Sequence, residues 1–174
     1  MRMETAFTLP GTLQGMRVAV VVAHPDDEVL WFGELIRKLS PDIYCCMTPK
    51  QDPRRAVAFF DVCKKVGSRP VLLPDFEFYW IDLSPYDAVV THNYKGEYGH
   101  KDHVRTHDYV VNNFDGQVIC SGYGLDGNAE LEADQDKIDL IKTYNYPWRG
   151  EPRYSVLFRN WGSKFNLLKE TYIV

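Results

Sequence analysis

Residues Arg17 to Ala23 read Arg-Val-Ala-Val-Val-Val-Ala, apolar after the first position and dense in valine. β-branched side chains fit a pleated, buried surface. A short continuous apolar run of this kind is the pattern of a strand covered on both faces. The run stops abruptly at His24-Pro25-Asp26-Asp27-Glu28. From Glu28 to Leu39, apolar residues at Val29, Leu30, Phe32, Leu35, Ile36 and Leu39 predict a helix. One imidazole and three carboxylates therefore fall where a buried strand turns into a helix, the place where open α/β sheets bind ligands. Core packing gives no reason for them there, because buried charge without a partner is costly.

The rest of the chain repeats the alternation. Asp42 to Thr48 reads as a second strand and Arg54 to Val66 as a helix, with Gly67 as its stop signal. Val71 to Leu73 is a short third strand, followed by an aromatic, acidic connection from Pro74 to Pro85 that holds Phe76, Phe78, Tyr79 and Trp80. In that connection a hydrophobic plug and a sugar-stacking surface are both open readings. Ala88 to Thr91 is a fourth strand, a polar loop follows from His92, and a helix is expected from about His100 to Asn112. Gln117 to Cys120 is a fifth strand, Gly122 to Asn128 a glycine-rich loop, Ala133 to Tyr144 a helix, and Arg153 to Phe158 a late strand. Met1 to Gly15 is a lead-in broken by Pro10, Gly11 and Gly15. Such alternation predicts an α/β fold, a single domain over residues 1–174 with a mostly parallel sheet and helices on both faces. In that arrangement the polar clusters after the first and fourth strands open onto the same carboxyl edge and meet in one cleft.

Some function classes are disfavoured. The formal net charge of −4 speaks against general nucleic-acid binding, which leans on a basic face. Cys45, Cys46, Cys63 and Cys120 show neither metal-ligand nor disulfide spacing, and Cys45 and Cys46 point to opposite faces of their strand. They read as free thiols in a reducing compartment. The longest apolar run, Val18 to Ala23, is too short for a signal core or a membrane span, so the expected location is cytoplasmic.

The residue types in the cleft suggest a chemistry. His24 and Asp27 stand three apart across a turn, and His100 and His103 share that spacing at a helix start. Neutral imidazoles and a carboxylate are ordinary zinc ligands, and three protein ligands leave a fourth position for water. Iron(II) or another divalent metal also suits two histidines and a carboxylate. Asp26 could serve as the base that deprotonates water, and a remaining histidine could stabilise an oxyanion or protonate a leaving group. His107 could share the face of His103, although a solvated helix position explains it better.

The stretch Ala23-His24-Pro25-Asp26-Asp27-Glu28 resembles the signature of the PIG-L/LmbE-type metal-dependent N-deacetylases. Gly96-Glu97-Tyr98-Gly99-His100-Lys101-Asp102-His103 is similar to that family's second motif. The resemblance extends over the order of elements from Arg17 to about Tyr144. It implies a Rossmann-like fold and hydrolysis of an N-acyl group, usually acetyl, from an amino sugar or sugar conjugate. Carried over by position, it implies that His24, Asp27 and His103 hold zinc, that Asp26 is the general base, and that His100 is the acid and oxyanion partner. Glu28 and Asp102 would then orient these groups, and Arg55, His92 and Asn93 are candidate substrate contacts. Relatives commonly place an arginine and then a glutamate on the second helix, whereas here Arg54 and Arg55 are followed by Ala56, Val57 and Ala58. The chain is also short after the fifth strand, so a pocket cap could be reduced or supplied by a second copy of the chain. The expected partner is a small-molecule or glycoconjugate N-acyl substrate. Two other readings stay open: a sugar- or nucleotide-conjugate binding module without catalysis, and a metal-dependent phosphoesterase.

Overall fold

The computed structural model describes residues 9–47, 49–127, 129–132, 134–144, 146–148, 151–152 and 169–174. A one-turn helix α1 (Leu9–Leu13) precedes β1 (Val18–Val22), α2 (Asp27–Leu39) and β2 (Asp42–Cys45). Then come α3 (Pro53–Val66), β3 (Pro70–Leu72), β4 (Ala88–Thr91), a single turn α4 (Gly96–Gly99) and α5 (Lys101–Asn113). The chain continues through β5 (Gln117–Ser121), β6 (Ala129–Glu132), α6 (Gln135–Ile141), the short pair β7 (Pro147–Trp148) and β8 (Glu151–Pro152), and β9 (Lys169–Ile173). The expected strand from Arg153 to Phe158 lies outside the described residues.

Seven strands form one sheet in the order β3-β2-β1-β4-β5-β9-β6. The five strands from β3 to β5 are parallel, with Val20 opposite Ile43 on one side and Val90 on the other. β9 then runs antiparallel between β5 and β6. The fold is thus the mostly parallel α/β arrangement expected. β6 and β9 are additions that short polar or mixed segments did not announce, because their pairing rests on partners far away in sequence.

Valines in β1 are fully buried because each face has its own cover. Val18, Val20 and Val22 pack with Ile36 of α2, Phe59 of α3 and Ile141 of α6. Ala19, Val21 and Ala23 pack with Val110 of α5 and with Phe76, Ile81 and Leu83 from the connection after β3. Cys45 lies in the first of these layers and Cys46 in the second, and all four cysteines are free. From β1 the chain runs outward to β2 and β3, then returns to the other side of β1 as β4. That reversal is a topological switch point at the carboxyl ends of β1 and β4, the place where open α/β sheets form their clefts. Among the described residues, no helix is long and apolar enough to cross a membrane.

Helix α2 is interrupted at Phe32, whose φ of −134° and ψ of 15° are not helical. The backbone N–H groups of Glu34 and Leu35 donate instead to the Glu170 carboxylate of β9, at 2.8 and 3.3 Å. A side chain inserted into the helical ladder is a recognised cause of a kink. Glu170 is buried, and Lys137 of α6, also buried, pairs with it at 2.6 Å. Lys137 in turn crosses Gly33, where an added Cβ would fall 2.9 Å from Lys137 Cγ. Gly33→Val is therefore expected to destabilise the fold by about 1–3 kcal/mol through overpacking. A urea titration should show a lower midpoint with an unchanged slope.

Candidate metal centre

The turn after β1 is built under strain. Asp26 has φ 107°, a left-handed conformation that a non-glycine residue adopts only when its surroundings hold it. Three contacts do so. Glu28 Oε2 accepts the Asp26 backbone N–H at 2.9 Å. The Arg55 guanidinium donates to the Pro25 carbonyl at 3.1 and 2.7 Å and to Asp26 Oδ2 at 2.7 Å. The Asp26 carbonyl accepts from Val29 and Leu30 N–H as α2 begins. Glu28 itself is buried and accepts from the Tyr144 hydroxyl, and burial pushes its pKa up to about 8. Arg55, the candidate substrate contact, thus sits under the turn and braces Asp26.

Asp27 points its carboxylate into the crevice. Oδ1 accepts from Trp31 Nε1 at 3.2 Å, and Oδ2 accepts the His24 backbone N–H at 2.9 Å. Around the same Oδ2 stand His24 Nδ1 at 3.2 Å, His103 Nε2 at 3.3 Å and His92 Nε2 at 3.5 Å. Hydrogen-bond partners on the far sides of the rings fix where their protons sit. His24 Nε2 lies 2.9 Å from Asp102 Oδ2, which places the proton on Nε2 and leaves the Nδ1 lone pair facing Asp27. His103 Nδ1 lies 2.6 Å from Glu97 Oε2, which leaves His103 Nε2 buried with no hydrogen-bond partner. Two lone pairs and a carboxylate oxygen converging in a buried place repel one another unless a proton or a cation lies between them. Either a shared proton or a cation meets that need. Burial disfavours charge on His24 and His103, but Asp27, with Asp102 beside His24, outweighs it and raises both pKa values above the ordinary range. Despite its burial, Asp27 is held well below the usual carboxylate range, chiefly by His103.

The residues fit a divalent cation. Separations of 3.2 and 3.3 Å between donor atoms match the edge of a tetrahedron with metal–donor bonds of roughly 2.0–2.1 Å. The groups whose donor atoms all lie within 4.8 Å of one another are His24, His100 and His103, and Asp27, His92 and His103, so the expected set of His24, Asp27 and His103 is divided between two groups that share His103. His92 is less suited, because its Nε2 accepts the Ala23 backbone N–H at 3.0 Å. The Ala23 bond can form only with an unprotonated Nε2, and that backbone donor holds the ring neutral. His100 lies at the cleft, half-buried. Its Nδ1 accepts from the Asp102 backbone N–H at 3.2 Å and caps α5, so its proton sits on Nε2. Burial, with His103 and His24 nearby, lowers the His100 pKa and keeps it a neutral donor.

The structure therefore gathers His24, Asp26, Asp27, Glu28, Arg55, His92, His100, Asp102 and His103 around one crevice. Asn93 is beside them, but its polar atoms are engaged internally. Its amide donates to the carbonyls of Ser121 and Tyr123, and its oxygen accepts from Lys95 and Glu97 N–H. It ties the loop after β4 to the loop after β5. His107 faces Asp108 and Tyr94 instead of the crevice.

Glu97 escaped sequence reasoning. It is buried, takes a positive φ of 57°, and accepts from His92 Nδ1, His103 Nδ1 and Asn93 N–H. The paired histidines hold its pKa down to about 2 against the cost of burial. The only signal was an acid lodged between two glycines six positions before His103. Gly96 must be small there, because an added Cβ would fall 3.0 Å from Val104 Cγ2. Glu97→Gln is expected to lower divalent-metal affinity by about 10–100-fold, as loss of a carboxylate behind a ligand imidazole does elsewhere. Competition against a chromogenic chelator measures it.

No family model matches the chain, and no curated protein matches it. Solved structures do. A deacetylase triple mutant of the teicoplanin biosynthetic pathway superposes with a TM-score of 0.60 at 14% identity, covering 90% of this chain and 98% of that one. A deacetylase in complex with bog, from the same pathway, gives a TM-score of 0.58 at 13% identity, covering 90% of this chain and 96% of that one. The chain shares the fold of these deacetylases across nearly its whole length.

Proposed function

We propose that the chain is a metal-dependent amide hydrolase of the PIG-L/LmbE type, a single domain that removes an N-acyl group, acetyl by preference, from an amino sugar or sugar-containing conjugate. The observation that carries this reading is His103 Nε2, buried without a partner and aimed with His24 Nδ1 at Asp27 Oδ2. The two similar deacetylase structures support it at the level of fold. The free cysteines fit a reducing compartment, and we place the protein in the cytoplasm.

His24, Asp27 and His103 would hold the cation. When bound, it supplies a Lewis acid for the acyl oxygen and lowers the pKa of a neighbouring water to about 7. The chain's own groups do the rest. Asp26 accepts the proton of the water that attacks the acyl carbon, and the brace from Arg55 and Glu28 holds it in place. His100, neutral with a proton on Nε2, hydrogen-bonds the oxyanion. Its lowered pKa leaves it no imidazolium proton to give, so the proton that Asp26 took from water is the one passed to the departing amine nitrogen, in place of the acid role expected of His100. The carbon–nitrogen bond breaks and leaves a carboxylate and a free amine.

The test combines metal analysis with release of acetate from N-acetylglucosamine and its conjugates. Acetate release that requires zinc or iron(II) supports the reading. Sugar binding without turnover would favour a binding module, and release of phosphate from sugar phosphates would favour a phosphoesterase.

A further inference from the structure

The two oxygens of Asp27 are held by different donors. Oδ2 accepts the His24 backbone N–H at 2.9 Å, and His24, His103 and His92 approach that same oxygen at 3.2, 3.3 and 3.5 Å. Oδ1 accepts from Trp31 Nε1 at 3.2 Å. An indole carries one polar hydrogen and no acceptor, so the direction of that bond is fixed. With a donor on each oxygen, the carboxylate cannot turn without breaking a hydrogen bond in a buried place.

The helix supplies this geometry. Asp27 and Trp31 lie four residues apart in the first turns of α2, a spacing that sets side chains on one face. Trp31 is buried, and aromatic neighbours fix its ring. Tyr123 lies 5.3 Å away and Tyr98 6.2 Å away, centroid to centroid, and His103 meets the indole edge-on at 6.5 Å. A buried tryptophan needs a partner for its N–H. Here that partner is the one carboxylate that three imidazoles face.

What a carboxylate offers a cation depends on how many of its oxygens are free. With both free it can chelate, a mode open to ions that take six or more oxygen-rich ligands. Manganese(II) belongs with the octahedral, oxygen-seeking ions. With one oxygen turned inward it suits a compact four-coordinate site, the arrangement zinc takes. Trp31 occupies Oδ1 and leaves Oδ2 as the oxygen among the imidazoles.

We propose that Trp31 is a positioning residue that makes the centre selective for a four-coordinate ion of the zinc type over a six-coordinate ion such as manganese(II). The proposal rests on the metal-centre part of the proposed function and not on the substrate. The test measures zinc and manganese(II) affinities of the full-length chain by competition against a chelator, in the unsubstituted protein and in two variants. Trp31→Phe keeps a ring and loses the donor. Trp31→Gln loses the ring and keeps a donor able to reach an aspartate four residues away on a helix. The preference for zinc over manganese(II) is expected to fall at least about tenfold in Trp31→Phe and to be kept in Trp31→Gln. Loss of packing alone weakens both ions together and leaves their ratio unchanged, so the ratio separates the donor from the ring.

A smaller fall in Trp31→Phe would overturn the role of Trp31, and so would an equal fall in both variants. An unsubstituted chain that holds neither ion would overturn the metal centre and this selectivity with it. Donor-dependent selectivity in a protein that releases no acetate under any metal would sink the deacetylase reading alone. Metal-dependent acetate release with an unchanged ratio in Trp31→Phe would sink the role of Trp31 alone.

Discussion

Replacement of His103 by alanine is expected to abolish tight binding of a divalent cation and all measurable turnover while the protein stays folded. The imidazole is buried, Glu97 occupies its Nδ1, and its Nε2 makes no hydrogen bond while facing Asp27 Oδ2 at 3.3 Å. Deletion removes one of three converging donors and leaves His24 and Asp27, a pair too few for the closed side of a catalytic site. Glu97 is not orphaned by the change, because His92 Nδ1 and Asn93 N–H still donate to it at 3.0 and 3.1 Å. The fold should therefore survive. In the unsubstituted protein, zinc at 100 times its dissociation constant should add about 2.7 kcal/mol of stability, and the alanine variant should gain none. Metal content after dialysis gives the same answer independently. A variant that retained one tightly held cation per chain would remove His103 from the site.

The second large effect is expected at Asp26, with the opposite pattern for metal. Asp26→Asn should bind the cation as before and lose turnover by about 10²–10⁴-fold, the range for removal of a general base. Asparagine is the informative substitution because it tolerates the left-handed conformation at φ 107°. Its amide oxygen can also still receive the Arg55 guanidinium, which now donates to Asp26 at 2.7 Å. Alanine would mix two further losses into the result, backbone strain and a largely buried Arg55 deprived of its carboxylate. The loss should fall on kcat with KM little changed, because the proton transfer belongs to the transition state. Turnover within a few-fold of the unsubstituted protein would assign the base elsewhere, with Glu28 the next carboxylate in the turn.

The local chemistry of the crevice could be read before any coordinates. A valine run that ends in His24-Pro25-Asp26-Asp27 announces a buried strand and a polar turn, because side-chain shape and apolar continuity act over a few residues. The second helix, the fourth strand and the helix that carries His103 were legible for the same reason. Glu97 was not. An acid beside glycines looks like any loop acid until the fold brings two imidazoles onto its oxygens. Asn93 illustrates the converse: its place after β4 suggested a ligand contact, and its hydrogen bonds turn out to be spent on joining two loops.

Periodicity and motif spacing by themselves determined the parallel α/β core and the set of charged residues at its carboxyl edge, since both follow from which short segments must be buried and which must turn. Only the tertiary structure decided that β9 enters between β5 and β6, and that its Glu170 caps a broken helix and pairs with Lys137. It also decided which nitrogen of each histidine keeps its lone pair. These outcomes depend on donors and acceptors that lie far apart along the chain and become neighbours only when water is excluded, so no local pattern records them.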